Sequence, residues 1–351
     1  MHPEAMARFA EGVLRAIGVP GANAAELAAA LVSADAQGIK THGMSRLPMY
    51  AARLAKGLMN GATTGTIVHR RGAVVAIDGE NGIGQVLAAR AMREAVALAR
   101  EAGVGVAGVR RSNHFGVAGY YCEQAAAAGM IGLAFTNSPK GIPPWDGREA
   151  YFGTNPIAAA IPLPDQPPIV IDLSTSVVAR GNIIMAAQAG EPIPEGWAID
   201  KEGRPTTDAK AALEGAVLPI AGPKGYALAL LVEVLAGVLT GAAFGPHVRN
   251  MYTDWTSGSD IGHLLIAIDP GAFGDRDAFL KRMAQMAAEI LAVPPVEGSA
   301  GPRLPGARRH ALAADASRSG LSYSPTVWGE LEKLARETGV PLPEPAERSA
   351  S

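Results

Sequence analysis

The sequence predicts an α/β fold, in which short apolar strands alternate with helices of ten residues or more. Two patterns carry this. Residues 104–109, 131–135, 157–161 and 169–171 are short apolar runs of strand length, whereas residues 86–102 form an Ala-rich stretch long enough only for a helix. A third observation is composition. The chain has 351 residues, 48% hydrophobic and 18% charged, enough to bury a substantial core and too apolar for disorder.

Along the chain, Phe9, Val13, Leu14 and Ile17, then Leu27, Leu31 and Val32, recur at helical spacing, with Gly18 and Gly38 as stops. A strand over 73–77 leads into a loop with Gly79, Gly82 and Gly84, then the helix 86–102 and the strand 104–109. A helix over 118–128 precedes the strands at 131–135, 157–161 and 169–171. Further helices are expected over 178–189, 226–239 and 276–291, with a strand at 264–268. Residues 293–318, rich in Pro, Gly and Arg, read as an extended arm, and a last helix near 326–337 precedes a polar tail.

Composition excludes several classes of function. Lys plus Arg number 31 and Asp plus Glu 33, so the net charge of −2 provides no general field for nucleic acid or anionic membrane. The pairs Arg70-Arg71, Arg110-Arg111 and Arg308-Arg309 read as solvated faces. The single cysteine, Cys122, precludes an internal disulfide and fits a reducing, cytoplasmic setting; within a helix it reads as packing. Residues 1–4 do not begin a signal peptide, and the most apolar stretch, 226–239, is too short to span a bilayer and reads as a core helix.

The fingerprint Gly-x-Gly-x-x-Gly occurs at Gly103–Gly108, but here it lies within a strand instead of between a strand and a helix, so it is not a dinucleotide turn. Four other segments gather polar side chains at the ends of elements. In Thr41-His42-Gly43-Met44-Ser45-Arg46-Leu47-Pro48, Pro48 marks a helix start. Arg46 can grip a carboxylate in a fork and His42 can exchange a proton near neutral pH. Ser112-Asn113-His114-Phe115-Gly116 stands at a strand exit, where His114 is a candidate acid or base. Asp172-Leu173-Ser174-Thr175-Ser176 offers a carboxylate and hydroxyls for ribose or phosphate, or alternatively a helix cap. Gly222-Pro223-Lys224-Gly225, before an apolar helix, suits a pyrophosphate. No cluster has metal-ligand spacing.

Taken in order, these segments resemble the malate/L-lactate/ureidoglycolate dehydrogenase family, which lacks a conventional Rossmann fold. The matches run from Ala34-Asp35, His42-Gly43 and Arg46-Leu47-Pro48 through Asn113-His114-Phe115-Gly116, Thr136-Asn137-Ser138 and Gly153-Thr154-Asn155-Pro156. They continue with Asp172-Leu173-Ser174-Thr175, Ala179-Arg180-Gly181 and Ile193-Pro194-Glu195-Gly196-Trp197-Ala198. Pro205-Thr206-Thr207-Asp208, Pro223-Lys224-Gly225-Tyr226 and Pro305-Gly306 complete the succession.

The resemblance implies a non-Rossmann malate/L-lactate dehydrogenase-like fold. This has a central mixed sheet, a helical N-terminal region (1–70), an inserted NAD(P)-binding domain (71–260) and a C-terminal segment (261–351) returning to the N-terminal region. It implies a homodimer that uses NAD or NADP to move a hydride to or from a small 2-hydroxy or 2-oxo acid. Arg46, with Thr41 beside it, would bind the substrate carboxylate. His42 and His114 are the candidates for proton transfer, with His114 favoured as the base. Ser138, Asp172, Leu173, Ser174, Lys224, Gly225, Pro305 and Gly306 would contact the cofactor. Thr41 stands for the usual Ser, Asn182 for a common Lys, Ala307 for a frequent acid and Asp146 for a Gly, while Lys140 adds a charge near Ser138. A cyclic imino-acid reductase, with Asp200 assisting, and a non-catalytic binding protein on the same fold are the alternatives.

Overall fold

The computed structural model of the chain describes residues 1–344. The chain opens with helices α1 (Pro3–Ala16), α2 (Gly21–Ala36) and α3 (Leu47–Ala55), then runs through β1 (Thr66–Arg71), β2 (Val74–Asp78), α4 (Gly84–Ala102), β3 (Val104–Ser112), α5 (Gly119–Ala127), β4 (Ile131–Thr136), β5 (Ile157–Leu163) and β6 (Gln166–Leu173). An excursion follows with α6 (Arg180–Ala189), β7 (Ala198–Ile199), β8 (Pro205–Thr206), α7 (Ala209–Glu214), β9 (Ala216–Val217) and α8 (Pro223–Val232). The chain closes with β10 (Ile261–Ile268), α9 (Arg276–Ala292), α10 (Ala307–Ser319) and α11 (Pro325–Thr338).

The helical spacing seen in the N-terminal sequence becomes one buried face: Met6, Phe9, Val13 and Leu14 of α1 pack with Leu27 and Leu31 of α2, Leu47 and Tyr50 of α3, and Leu331 and Leu334 of α11. Gly18 and Gly38, at φ 90° and 77°, end α1 and α2 where the sequence places stops.

Seven strands form one mixed sheet in the order β1-β2-β3-β10-β4-β5-β6. β2 and β3 are parallel, and every other neighbouring pair is antiparallel. Because β10 and β5 run against their neighbours, β2, β3, β4 and β6 all point one way. Their carboxyl ends therefore share one edge of the sheet, where a ligand site is expected. β10 lies at the middle of the sheet, and five of its first six residues are buried.

α4 lies across β3 so closely that a Cβ on Gly105 would sit 2.0 Å from the Ala95 carbonyl oxygen. Gly103, at φ 82°, caps α4. The glycines of the 103–108 fingerprint thus serve helix termination and helix–sheet contact. Cys122 is fully buried within the same core.

Two expectations need correction, and two features were not foreseen. The arm expected over 293–318 is extended only to about residue 306, because α10 begins at Ala307. Gly306 turns the arm into the helix at φ 87°, and Arg309 and His310 anchor its first turn on Asp172 and Pro168. The stretch 226–239 is not a core helix throughout. α8 continues as a π-helical turn, Glu233–Val238, and Leu231, Val238 and Leu239 remain 48%, 53% and 65% exposed. The edge strand β1 and the small sheet β8-β7-β9 escape sequence reading, since β1 is largely exposed and the others have two residues each. The polar tail beyond residue 344 lies outside the described residues. Among those described, no helix is long and apolar enough to cross a membrane.

Candidate active site

Between α2 and α3 the chain makes two short helical turns, Lys40–His42 and Met44–Arg46. The buried Asp35 organises them by accepting the Met44 N–H at 2.9 Å. Gly43 passes so close that a Cβ there would sit 2.0 Å from Asp35 Oδ1. The Asp35 to His42-Gly43 spacing is thus a steric requirement. Within the loop, Thr41 Oγ1 is 2.9 Å from His42 Nδ1, and Arg46 Nε donates to the Thr41 carbonyl at 2.5 Å. The Arg46 guanidinium also lies 5.2 Å from the centre of the Tyr252 ring, and among the described residues it forms no ion pair. Its Nη groups are left for an incoming anion.

His114 follows the exit of β3. The preceding Asn113 is buried and fixed on every side: Nδ2 donates to Asn81 O, Asn81 Oδ1 and Gly82 O, and Oδ1 accepts from Ser259 N at 3.1 Å. Gly84, starting α4, has no room for a Cβ, which would fall 2.3 Å from Asn113 O. The His114 ring stacks on that of His42 with centroids 5.5 Å apart, and Tyr50 Oη approaches His114 Nδ1 at 2.6 Å. Beneath them Phe115 stacks on the buried His263, 4.6 Å between centroids. His263 bonds Thr136 Oγ1 and Ser112 Oγ, both at 2.7 Å. Two segments some seventy residues apart therefore deliver His42, Arg46 and His114 to one place.

Burial, and then the neighbouring Arg46 guanidinium, push the His42 imidazole down to about 4. Burial, followed by His42 and Arg46, holds His114 well below the ordinary histidine value. Both rings are therefore neutral at neutral pH, beside one fixed positive charge. Such an arrangement could hold an anion at Arg46 beside an imidazole that carries no charge.

Of the expected cofactor residues, Ser138 and Asp172 to Ser174 lie at or just beyond the carboxyl ends of β4 and β6, Pro305 and Gly306 lie against β6, and Lys224 and Gly225 open α8. Ser138, beyond β4, accepts the Thr154 N–H through Oγ at 3.0 Å. Asp172, at the end of β6, accepts from Gly119 N at the start of α5 and from Arg309 Nη1 at 2.9 Å, so its carboxylate is already engaged. Asp172 and Arg309 both act on the His42 charge, which ties this end of β6 to the histidine pair. Leu173 is half-exposed, and Ser174 accepts from Ser176 Oγ at 2.9 Å. Lys224 is exposed in the first turn of α8, whose N-terminus no side chain caps. Gly225 is required there, since a Cβ would sit 2.0 Å from Ile220 O. Pro305 O accepts from Val170 N at 3.1 Å, and Gly306, at φ 87°, lies against Val170. An uncapped helix start with a free lysine, a hydroxyl pair and backbone pressed close by glycine together fit a dinucleotide. Among the described residues no group of three or more His, Cys, Asp or Glu could hold a metal ion.

The family described as malate/L-lactate dehydrogenase matches residues 1–332. The chain belongs to this family. It is 41% identical over 327 residues to a (2R)-3-sulfolactate dehydrogenase (NADP(+)) of Chromohalobacter salexigens, covering 93% of this chain and 95% of the relative. It is 38% identical over 295 residues to a ureidoglycolate dehydrogenase (NAD(+)) of Escherichia coli K12, covering 84% of each. The solved sulfolactate dehydrogenase of Methanocaldococcus jannaschii superposes with a TM-score of 0.91 at 36% identity, over 97% of this chain and 98% of that one.

Within this malate/L-lactate dehydrogenase chain, sequence reasoning misses four side chains that shape the site. Arg309, taken with Arg308 as a solvated pair, is instead ion-paired to Asp172 with its side chain 28% exposed; Arg308 is exposed. Tyr50, Gln85 and Tyr252 carry no local signal, since each reads as an ordinary helix or loop residue. Only the periodicity of α3, which turns Tyr50 inward, could have hinted at one of them.

Proposed function

We propose that this chain is an NAD(P)-dependent oxidoreductase that interconverts a small 2-hydroxy acid and its 2-oxo acid, of the malate, lactate, sulfolactate or ureidoglycolate type. The observation that carries the reading is the unpaired Arg46 guanidinium set beside two stacked, neutral histidines. Arg46 binds the substrate carboxylate through its free Nη groups, with Thr41 holding the loop. His114 takes the hydroxyl proton on Nε2 during oxidation and returns it during reduction, while His42, stacked on His114, lies beside the substrate. NAD(P), when bound, would supply the hydride chemistry at the substrate α carbon. Ser138, Asp172, Leu173, Ser174, Lys224, Gly225, Pro305 and Gly306 hold the cofactor, Lys224 and Gly225 at its pyrophosphate. These residues lie mainly within 71–260, with 1–70 carrying the substrate loop; of the C-terminal segment, α10 and α11 pack on the N-terminal helices, while β10 joins the sheet of the middle segment.

We further propose that the enzyme is a cytoplasmic homodimer; the exposed leucines of α8 and its continuation support an interface there. Sedimentation should give a dimer mass, and a Leu239→Asp variant should lower it. The activity test is a panel of 2-oxo acids with NADH and NADPH in turn. Oxidation of reduced cofactor by at least one acid is expected. Silence across the panel would overturn the reading, and activity confined to cyclic imines would replace it with an imino-acid reductase.

A further inference from the structure

His114 is held from behind by two side chains that the reaction above does not use. Tyr50, buried on α3, brings its hydroxyl to 2.6 Å from His114 Nδ1. Gln85, wholly buried in the first turn of α4, donates from Nε2 to that hydroxyl at 3.0 Å. The other end of the amide, Gln85 Oε1, is buried and has no partner.

One hydroxyl proton between two neighbours must point to one of them. With Gln85 Nε2 turned to Tyr50, the hydroxyl donates to Nδ1, and the neutral imidazole carries its proton on Nε2, facing the substrate. With Oε1 turned to Tyr50, the hydroxyl donates to Gln85 and accepts from Nδ1–H. Nε2 is then left with a free lone pair. Only the second arrangement can take a proton from a substrate hydroxyl. The structure has the amide in the first orientation, but since Oε1 has no partner among the described residues, turning the amide over breaks no other contact and brings the second.

We infer that Tyr50 and Gln85 are positioning residues that set the His114 tautomer, Tyr50 holding the Nδ1 proton so that Nε2 faces the substrate as the base. This rests on His114 being that base. During oxidation the substrate O–H breaks and its proton joins Nε2, giving an imidazolium whose Nδ1–H stays on the Tyr50 oxygen. During reduction the same proton returns to the carbonyl oxygen. Nothing passes beyond Tyr50, because a carboxamide neither takes nor gives up a proton at these pH values. The titratable groups that act on the His114 ring are His42, Arg46 and His263. None of them is anionic, so the Tyr50 oxygen is the contact that steadies the imidazolium.

Three variants of the full-length enzyme test this. Tyr50→Phe should lower kcat by about 10- to 100-fold with both KM values within about threefold. It should also move the acid limb of the kcat/KM profile to lower pH, since the imidazolium loses an acceptor. Gln85→Glu, placing a carboxylate on the Tyr50 hydroxyl, should move the same limb to higher pH. Opposite shifts are not expected of residues that only pack. In 15N-histidine NMR the His114 signals should report a protonated Nδ1 in the wild type and lose that signature in Tyr50→Phe, a readout that stands even if Gln85→Glu fails to fold. If His114→Ala retains activity, the base assignment falls and this inference with it. If His114→Ala is inactive while Tyr50→Phe keeps wild-type kcat, pH profile and NMR signature, this inference alone is overturned.

Discussion

Replacing Arg46 with alanine separates substrate binding from proton transfer in a way the geometry makes quantitative. Only Nε of Arg46 is committed, to Thr41 O, so both Nη groups are free to form a forked pair with a carboxylate. Two charge-assisted hydrogen bonds in a buried site contribute on the order of 3 kcal/mol or more in total. Their loss corresponds to a rise of about 100-fold in KM for the acid, at about 1.4 kcal/mol per decade. KM for the nicotinamide cofactor should stay within about twofold. A second effect has a definite sign. The Arg46 charge holds both His42 and His114 below their ordinary values. Without it each imidazole binds a proton more readily, so the acid limb of the kcat/KM profile should move to higher pH. Arg46→Lys keeps the charge and loses the fork, so KM should rise less while the limb stays in place. Steady-state kinetics following NAD(P)H absorbance from pH 5 to 9 measure all of this. An unchanged KM for the acid, or a limb that moves to lower pH, would refute the clamp.

Three further outcomes follow from buried polar groups. His263, fully buried and pushed down to about 3, is neutral in the fold, whereas in the unfolded chain it titrates near 6.5; its contribution is complete above pH 6.5 and is lost as the pH falls toward 3. Denaturant midpoints should therefore drop between pH 7 and pH 5 by the equivalent of about 2 kcal/mol, with His42 adding in the same direction; equal midpoints would contradict this. Glu233→Ala removes the acceptor for Asn137 Nδ2, Asn155 Nδ2 and Gly245 N at the π-helical turn, and urea unfolding should show a loss of about 3–5 kcal/mol, with less than about 1 counting against the network. Gly43→Ala drives a methyl into Asp35 Oδ1, so activity should fall at least about tenfold and Tm should fall with it; wild-type kcat would show that the loop tolerates the side chain.

The fold was legible wherever local pattern and burial agree. α1, α4 and β3 present apolar faces that each bury, and their periods could be read directly. The mistakes fall where the deciding partner is distant in sequence or where burial cannot be read from hydrophobicity alone. α10 has no strong apolar face, and it forms because Gly306 caps it while Arg309 and His310 reach back to Asp172 and Pro168 across some 140 residues. The apolar stretch that became α8 and its π-helical turn was rightly read as helix and wrongly as core, because hydrophobicity all round a helix does not say which surface covers it.

The site divides along the same line. His42, Arg46 and His114 could be picked out because charged and imidazole side chains beside Gly, Asn and Pro are conspicuous in a sequence. Their purpose depends on neighbours that are not conspicuous. A lone histidine after a strand says nothing of its protonation. Burial, and then the nearby Arg46 charge, push both rings below the ordinary histidine value, and that depends on residues the local sequence does not show. That dependence has a further consequence for catalysis. A carboxylate seated on Arg46 cancels much of the charge that weakens both imidazoles. Under the proposed function, an acid seated on Arg46 would therefore relieve the guanidinium's share of the depression on both rings, while burial, the larger cause, would remain.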